Sequence, residues 1–193
     1  MLLSPINKSD HFLGDTNAEI TLIVYEDYEC EYCGEAFKEL TTLREYYKEE
    51  ICVVYRNFPF IRMHPSALLA ALVVEACALQ NKFIQAHDLI FECQEYLEYG
   101  LGGILRLLQK NHAVSIEQLN EDLQKEDVKR KINDDIESGM RCGIKNTPAI
   151  FINDCKYTGT VKFDDMAKVT EEILSKRLLN KQISTDASDE LAT

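Results

Sequence analysis

The sequence predicts a mixed α/β fold with elements in the order β-α-β … β-β-α, interrupted by an all-helical insertion. Residues 1–59 hold two short apolar runs on either side of a helical pattern. Residues 60–142 show helical patterns without a strand signal, and residues 143–179 return to strand, turn and helix. The two ends are therefore expected to form one α/β layer, with the insertion lying against it.

The N-terminal part, residues 1–59, contains a strand–helix–strand unit. Residues 19–26 (EITLIVYE) are apolar at odd and even positions alike, which is typical of a strand buried on both faces. Residues 51–58 (ICVVYRNF) have the same character. Between them, apolar side chains recur at helical spacing: Phe37, Leu40, Leu43 and Tyr47. A βαβ unit of this kind predicts that its two strands are parallel.

The insertion, residues 60–142, is predicted to be a set of helices. The first begins at His64-Pro65 and continues as SALLAALVVEACALQ, which is apolar nearly all round and indicates a buried helix. A second is expected over residues 82–96, and the glycines of residues 100–103 are expected to break the chain before a third. Ser115 and Gln118 form a capping-box pattern before a short fourth helix, and the last covers residues 125–141.

The C-terminal part, residues 143–179, predicts a β-hairpin followed by a helix. The run TPAIFIN is a short apolar strand, Asn153-Asp154 can turn, and CKYTG can pair back. Residues 161–179 carry an amphipathic helical pattern. Residues 180–193 are polar and are predicted to form a disordered tail.

Composition limits the partners and the location that can be expected. The 193 residues carry a net charge of -12, which argues against nucleic acid, because phosphate binding needs a basic face. No run has the length and apolarity of a membrane span, and no signal-peptide pattern is seen. The seven cysteines are an odd number and mostly scattered, which favours a reducing compartment. A cytoplasmic location is therefore predicted, or a periplasmic or exported one if a leader has been removed.

Two of the cysteines are close together, in the motif Cys30-Glu31-Tyr32-Cys33, where the first strand gives way to the first helix. At a helix start, free N–H groups and the helix dipole stabilise a thiolate at the first position. The second thiol lies one turn on, within bridging distance. Cys30 is thus expected to attack a disulfide and Cys33 to resolve the mixed disulfide, with no cofactor beyond this dithiol.

Other interpretations of the motif remain open at this point. The pair could be half of a zinc site, with Cys142 and Cys155 as the available further ligands, or could link two copies of the chain through a metal. The domain could also hold a peptide or partner protein without redox turnover. Replacing Cys30 by serine would then preserve function.

A second signal lies far along the chain, at Thr147-Pro148. The proline immediately precedes the apolar strand AIFIN, and central strands tolerate proline only at their first residue. An X-Pro bond can also be cis at low cost. The elements occur here in the order of a thioredoxin fold. A strand leads to a Cys-x-x-Cys and a helix, and TPAIFIN and a hairpin follow late in the chain.

Five stretches together resemble the DsbA-like protein-disulfide oxidoreductases, which are thioredoxin folds with a helical insertion. They lie between His11 and Leu179: HFLGDTNAEITLIVYEDYECEYCGEAF, VVYRNFPF, HPSALLAALVVEA, KFIQAHDLIFE and SGMRCGIKNTPAIFIND. The resemblance implies that Cys30 is the attacking thiol and Cys33 the resolving thiol. It also implies that the Thr147-Pro148 bond is cis beside the sulfurs and that the Thr147 backbone pairs with a substrate strand.

Substrate contacts are expected from Thr147, Pro148, Glu31 and Tyr32. The expected partners are protein or peptide thiols and disulfides, with a separate thiol protein as electron donor or acceptor. The sequence departs from the family in its dipeptide, since relatives often have proline followed by histidine or tyrosine between the cysteines. Val24 also stands where many relatives have a glutamate that aids proton transfer, and most relatives are exported whereas this chain shows no leader.

The carboxylates near the motif lead to a prediction about its redox potential. Five acidic residues surround the position of the thiolate: Glu26, Asp27, Glu29, Glu31 and Glu35. Like charges disfavour the anion and hence the reduced form. The protein is therefore predicted to be reductase- or isomerase-like, with a potential nearer thioredoxin's about -270 mV than DsbA's about -120 mV.

Two histidines and one further cysteine lie near these elements. His64, at a helix start, is expected to cap the helix or to pack against it. His87 lies in an apolar run and is expected to be a hydrogen-bonded core histidine rather than a catalyst. Cys142 precedes the proline loop, where a third thiol could approach the active pair, although packing is the favoured role.

Overall fold

The computed structural model describes Leu2 and residues 4–190, and it confirms the predicted α/β fold with a helical insertion. The strands are β1 (His11–Leu13), β2 (Ile20–Glu26), β3 (Ile51–Asn57), β4 (Ala149–Ile152) and β5 (Cys155–Lys156). The helices are α1 (Glu31–Tyr46), α2 (Ala67–Ala78), α3 (Phe83–Glu92), α4 (Gly100–Lys110), α5 (Ile116–Asp122), α6 (Glu126–Arg141) and α7 (Phe163–Glu190). A 3₁₀ helix, Gln94–Tyr99, joins α3 to α4.

The strands form one sheet in the order β1-β3-β2-β4-β5. β2 and β3 are parallel, as the βαβ unit predicts, and the other pairings are antiparallel. Tyr25, near the end of β2, pairs with Ala149, at the start of β4. This register brings the segment after β2 and the segment before β4 to the same edge of the sheet.

Apolar side chains cover both faces of the sheet. On one face, Leu22 and Val53 pack with α1, α7 and the helical insertion in the larger core cluster. On the other face, Ile23, Tyr25 and Phe151 form a smaller cluster. Burial on both faces explains why β2 and β3 are almost continuously apolar rather than alternating.

α2 is the central helix of the insertion and contacts α3, α4, α5 and α6. Its acidic residue, Glu75, is buried, which is costly unless the carboxylate is paired. The Asn57 side-chain amide donates to it at 2.6 Å, and His11 Nε2 lies 2.8 Å away. The carboxylate that interrupts the apolar run therefore ties α2 to β1 and β3.

Three elements differ from the sequence-based expectations. β1 was not expected, because three half-buried residues at a sheet edge carry little periodic signal. The chain after α3 tightens into the 3₁₀ helix instead of extending α3 through residue 96. Of the glycines expected to break the chain, only Gly100 does so: its positive φ of 55° ends the 3₁₀ helix, and α4 begins at the same residue and includes the other glycines.

The C-terminal helix is longer than predicted. α7 continues to Glu190, so residues 180–190 are helical where a disordered tail is predicted, and residues 191–193 lie outside the described part of the chain. No glycine or proline occurs in this helix to interrupt it. Among the helices that the structure describes, none combines the length and apolar character needed to cross a membrane.

Candidate active site

Cys30 is the N-cap of α1, and Cys33 lies in the first turn of that helix. A turn after β2 leads into the helix, closed by the Cys30 N–H, which donates to the Asp27 carbonyl at 3.1 Å. The Cys33 and Gly34 N–H groups then donate to the Cys30 carbonyl at 3.0 and 3.1 Å. Cys30 therefore lies at the positive end of the helix dipole.

The environment of Cys30 favours its thiolate. A hydrogen bond from the Cys33 side chain is the largest influence; burial opposes it, and the backbone N–H groups of Cys33 and Tyr32 and the Thr147 side chain add to it. The result lowers the pKa of Cys30 to about 6. The ordinary cysteine pKa is about 8.5. Because the pKa of Cys30 lies below neutral pH, this side chain is largely ionised there, and the thiolate is the nucleophilic form of cysteine.

Cys33 has the opposite character. It is only 2% exposed, and burial is the main reason that its pKa is raised well above the ordinary value. The hydrogen bond to Cys30, the charge on Cys30 and the charge on Glu26 raise it further. Two thiols one helical turn apart are thus held in different protonation states.

The loop before β4 borders the site. The Cys30 sulfur lies 3.6 Å from the Thr147 carbonyl oxygen, to which the thiol donates only while it is protonated. The Thr147-Pro148 peptide bond is cis, as the resemblance implies, and Pro148 is half-buried. The β2–β4 register explains how residues so far apart in sequence come together here.

Asp27 organises the loop that faces Cys30. The sequence predicts it only as one of several charges, but its carboxylate is buried and accepts the Glu29 N–H at 2.9 Å and the Phe60 N–H at 2.7 Å. The same carboxylate lies 2.8 Å from His64 Nδ1. His64 is therefore the partner of a buried acid, while Ser66 occupies the N-cap of α2.

A second histidine–carboxylate pair is fully enclosed. His87 has no exposed surface; its Nε2 lies 2.7 Å from Glu26 Oε1 and its Nδ1 lies 2.7 Å from Asp88 Oδ1. Burial opposes protonation, but the two carboxylates outweigh it and raise the pKa of His87 to about 9. His87 is therefore a hydrogen-bonded core histidine, as expected, and its partner Glu26 is the carboxylate that acts on Cys33.

Gln94, in the 3₁₀ helix, joins the insertion to the cysteine loop. Its side-chain amide donates to the carbonyls of Tyr28 and Cys30, at 2.7 and 3.1 Å. Gly34 leaves room for this contact, since a Cβ there would lie 2.2 Å from Gln94 Oε1. No local pattern points to Gln94, because its contact depends on how the insertion folds back onto α1.

The Cys30 side chain lines an open groove of about 480 Å³. Glu31 and Tyr32, between the cysteines, line the same groove and are exposed, as is Met63 from the facing loop. The other lining residues are Glu29, Phe60, His64, Lys145, Asn146 and Thr147. Exposed apolar side chains along an open groove are typical of a surface that binds a peptide or protein.

The other candidate thiols lie apart from this groove. Cys142 packs with the smaller core cluster, whereas Cys30 and Cys33 belong to the larger one, so it takes the packing position that the sequence favours. Cys155 is exposed on β5, at the edge of the sheet. Over residues 4–190, no group of three or more His, Cys, Asp or Glu is arranged to hold a metal ion.

Comparisons with known proteins agree with this fold. A family model described as Thioredoxin matches residues 6–172. The crystal structure of Wolbachia pipientis alpha-DsbA1 covers 93% of this chain and 97% of its own, with a TM-score of 0.78 at 21% identity. A periplasmic thioredoxin-like protein from Salmonella enterica serovar Typhimurium covers 90% of this chain and 94% of its own, with a TM-score of 0.72 at 21% identity.

Curated relatives match the chain over only part of their own length. Proteins named Na(+)/H(+) antiporter NhaA 1 are 29% identical in Mycobacterium sp. (strain KMS) and 31% identical in Mycolicibacterium vanbaalenii, each over 161 residues. The match covers 82% of this chain and 26% of the relative in both cases. The chain thus spans about a quarter of the length of these relatives.

The predicted cytoplasmic location is wrong. The neighbours in structure include the periplasmic thioredoxin-like protein from Salmonella, which conflicts with that prediction. The error has a physical reason. Cys52 and Cys77 are buried, and burial raises the pKa of both thiols, so they are inert in any compartment. An odd number of cysteines of this kind does not report on the redox state of the surroundings.

Proposed function

Because this chain belongs to the thioredoxin family and shares the fold of the DsbA-like proteins, we propose that it is a protein thiol–disulfide oxidoreductase. Cys30 and Cys33 are its proposed active thiols. The observation that carries the proposal is the contrast between them: hydrogen bonds, chiefly from Cys33, outweigh burial and lower the pKa of Cys30 to about 6, whereas burial is the main cause that raises the pKa of Cys33 well above its ordinary value. Residues that carry out chemistry are commonly perturbed in this way.

The proposed reaction proceeds in two exchanges. The Cys30 thiolate attacks one sulfur of a substrate disulfide, forming a mixed disulfide and expelling the other substrate sulfur as a thiolate. Cys33 then loses its proton and attacks the Cys30 sulfur, which releases the second substrate thiolate. The substrate disulfide has gained two electrons, and Cys30 and Cys33 have lost them to form a disulfide. The same steps in reverse oxidise a substrate dithiol.

The proposed substrate is a protein or an extended peptide lying in the groove beside Cys30. Thr147 presents its backbone next to the sulfur, and Pro148 immediately precedes β4. Glu31 and Tyr32 line the same groove and are exposed, with Tyr32 70% exposed. An extended chain pairing with the Thr147 backbone would bring its own disulfide to Cys30.

We also propose a reductase- or isomerase-like potential. A thiol pKa of about 6 indicates a less stabilised thiolate than the value of about 3.5 in DsbA, and it lies closer to about 7 in thioredoxin. A less stabilised thiolate makes the reduced form less favourable and the protein a weaker oxidant. The acidic residues near the motif disfavour the thiolate less than the sequence suggests, because Glu26 is paired with His87 and Asp27 with His64.

The proposal includes a location and a partner. We place the protein in the periplasm or an equivalent exported compartment, because DsbA homologues are periplasmic. Sustained turnover then needs a thiol protein that accepts electrons from the dithiol or donates them to it. No cofactor beyond the cysteine pair is proposed.

The test is a redox titration of the protein against graded ratios of reduced and oxidised glutathione. After alkylation, peptide mass spectrometry would report Cys30 and Cys33 separately from the other five cysteines. We expect one reversible transition in which both residues change together, with a midpoint nearer about -270 mV than about -120 mV. A midpoint near that of DsbA would overturn the proposed poise and leave the enzyme class intact.

Two variants separate exchange from mere binding. Cys33→Ser should accumulate a mixed disulfide at Cys30 with a disulfide-containing peptide, because the resolving thiol is gone. Cys30→Ser should form none and should lose reductase activity. If wild type showed no disulfide exchange and Cys30→Ser bound the peptide as well as wild type does, the protein would be a peptide-binding module. Stoichiometric metal at inert cysteines would favour a metal-linked dimer.

A further inference from the structure

The groove that Cys30 lines also contains a histidine paired with a buried acid. His64 Nδ1 lies 2.8 Å from Asp27 Oδ2, and His64 lines the same groove as Cys30. The His64 side chain is 23% exposed, while that of Asp27 has no exposed surface. The imidazole therefore has one edge held from beneath and the other open to the groove.

Asp27 holds this histidine in a fixed position. Its carboxylate also accepts the Glu29 N–H and the Phe60 N–H, so it joins the turn before Cys30 to the loop that carries His64. A buried carboxylate with three such partners has little freedom to rotate. Among the described residues, the structure shows no hydrogen bond to His64 Nε2, which leaves this nitrogen available to the groove.

The motif itself provides no cation for the thiolate. The residues between the cysteines are an acid and a phenol, Glu31 and Tyr32, and Glu29 stands just before Cys30. We propose that His64, oriented by Asp27, supplies the positive charge that stabilises the Cys30 thiolate and so helps to set the redox poise of the pair. This inference rests on the proposed oxidoreductase function and assigns a positioning and electrostatic role to two residues outside the motif.

The charges around His64 favour its protonated form. Burial opposes protonation, but the hydrogen bond and charge of Asp27, followed by the charges of Cys30 and Glu29, outweigh it and raise the pKa of His64. The other charged groups that line the groove are Glu31, which is negative, and Lys145, which is positive. Cys30 is one of the groups that favour protonated His64, and by reciprocity protonated His64 favours the Cys30 thiolate, although less than the hydrogen bonds from Cys33, Thr147 and Tyr32 do.

This reciprocity makes the inference quantitative. The energy of interaction between two titrating groups is the same whichever group is observed. Removing the imidazolium should raise the pKa of Cys30 by the same amount that removing the thiolate lowers the pKa of His64. An effect through altered folding would not produce two equal shifts.

The first experiment measures the Cys30 pKa from the ultraviolet absorbance of its thiolate in reduced wild type and in His64→Gln. We expect the pKa of Cys30 to rise by about 1 unit in the variant, the lower end of the range for a neighbouring charge. The equilibrium constant against glutathione should move about tenfold toward a more reducing protein, or about 30 mV. An unchanged Cys30 pKa in a folded variant would overturn the inference.

His11→Gln is the matched control. His11 is also paired with a buried carboxylate, Glu75, at 2.8 Å and its side chain is 19% exposed, but it does not line the groove. The control should leave the Cys30 pKa and the redox midpoint unchanged. Equal shifts in His11→Gln and His64→Gln would show a general effect of losing a histidine and would overturn the specific role.

The second experiment does not depend on the folding of a His64 variant. The pKa of His64 would be followed by NMR in reduced wild type and in Cys30→Ser, with through-bond resonance assignment identifying its signal among the four histidines. We expect a lower His64 pKa in Cys30→Ser, by the amount found for Cys30 above; identical values would overturn the inference. The glutathione titration of wild type tests the parent function separately, so the two failures are distinguishable.

Discussion

At the scale of single residues, the two cysteines of the motif differ because they differ in depth and in hydrogen bonding. Cys30 receives hydrogen bonds that favour its anion, whereas Cys33 is buried and would become a second negative charge beside the first. Sequence spacing predicts that the first thiol of such a pair is the acidic one. It does not reveal that the Cys33 thiol is the main donor to Cys30.

Two substitutions of Cys33 test this donor. Cys33→Ala removes the hydrogen bond and should raise the pKa of Cys30 from about 6 toward its ordinary value. Cys33→Ser keeps a hydroxyl donor in the same place and should raise it less. The pH dependence of alkylation by iodoacetamide measures both values. Equal pKa values in the two variants would show that the Cys33 hydrogen bond is not the main cause.

His87 is a buried cation whose effect on stability depends on pH. Its pKa in the folded protein, about 9, lies above the ordinary value of 6.5. Its contribution to the free energy of unfolding is therefore complete below about pH 6.5 and is lost as the pH rises through about 9. Cys30 has a lowered pKa and contributes with the opposite sign, so the comparison belongs in the oxidised protein, where Cys30 does not titrate.

Neutralising the two partners of His87 in turn tests this account. In Glu26→Gln, the free energy of unfolding should fall less steeply between about pH 6.5 and pH 9, because the buried carboxylate no longer raises the His87 pKa. Asp88→Asn should reduce this slope less, since Asp88 is 32% exposed and solvent weakens its charge. Urea unfolding at several pH values gives the slopes. A slope in Glu26→Gln as steep as in wild type would contradict the assignment.

At the scale of elements, glycines that look alike in sequence have different roles. Gly139 lies in α6 against the sheet, where a Cβ would meet the Phe58 ring at 2.4 Å and the Tyr25 ring at 3.3 Å. Gly102 lies in α4, is exposed, and has nothing within 4 Å of that position. Close packing of α6 on two aromatic rings therefore requires one of these glycines and not the other.

The same substitution at both positions separates packing from backbone effects. Gly139→Ala should destabilise the protein by about 1–3 kcal/mol, because buried rings must move to admit the methyl group. Gly102→Ala should stabilise it by roughly 0.5–1 kcal/mol, because alanine loses less backbone entropy in a helix. Urea unfolding measures both. A stabilised Gly139→Ala would mean that α6 packs less closely than the structure shows.

Element order was predictable, but several boundaries were not. The apolar runs of β2, β3 and β4 and the all-round apolar pattern of α2 follow directly from burial, which leaves a strong periodic signal. β1 and the 3₁₀ helix are specified by their contacts with other elements, which local patterns do not contain. The Ser115–Gln118 pattern is only half realised: the Ser115 hydroxyl accepts the Gln118 N–H, but the Ser115 N–H donates to Gln80.

At the scale of the whole molecule, the net charge of -12 should affect which disulfides react quickly. A negative protein repels anionic substrates and attracts cationic ones, and salt screens both effects. Raising the ionic strength from about 0.01 M to about 0.1 M shortens the Debye length from about 30 Å to about 10 Å. The groove itself holds acidic Glu29 and Glu31 beside Lys145, so the reaction site shares the overall sign.

Three small disulfides test this expectation. The rate at which the reduced protein reacts with glutathione disulfide, which is anionic, should rise with salt. The rate with cystamine, which is cationic, should fall, and that with neutral hydroxyethyl disulfide should stay nearly constant. Stopped-flow measurement at one pH gives all three. A common salt dependence would point to an effect on the protein rather than on the encounter.

The sequence by itself determined the α/β class, the place of the helical insertion and the position of the Cys30–Cys33 pair at a helix start. These features follow from local periodicity and from the spacing of a few residues. The tertiary structure alone decided that Asp27 meets His64, that Glu26 meets His87 and that Gln94 reaches the Cys30 carbonyl. Each of these contacts joins segments at least 37 residues apart. Sequence patterns describe neighbours along the chain, whereas these contacts exist only after the insertion has folded back onto the sheet.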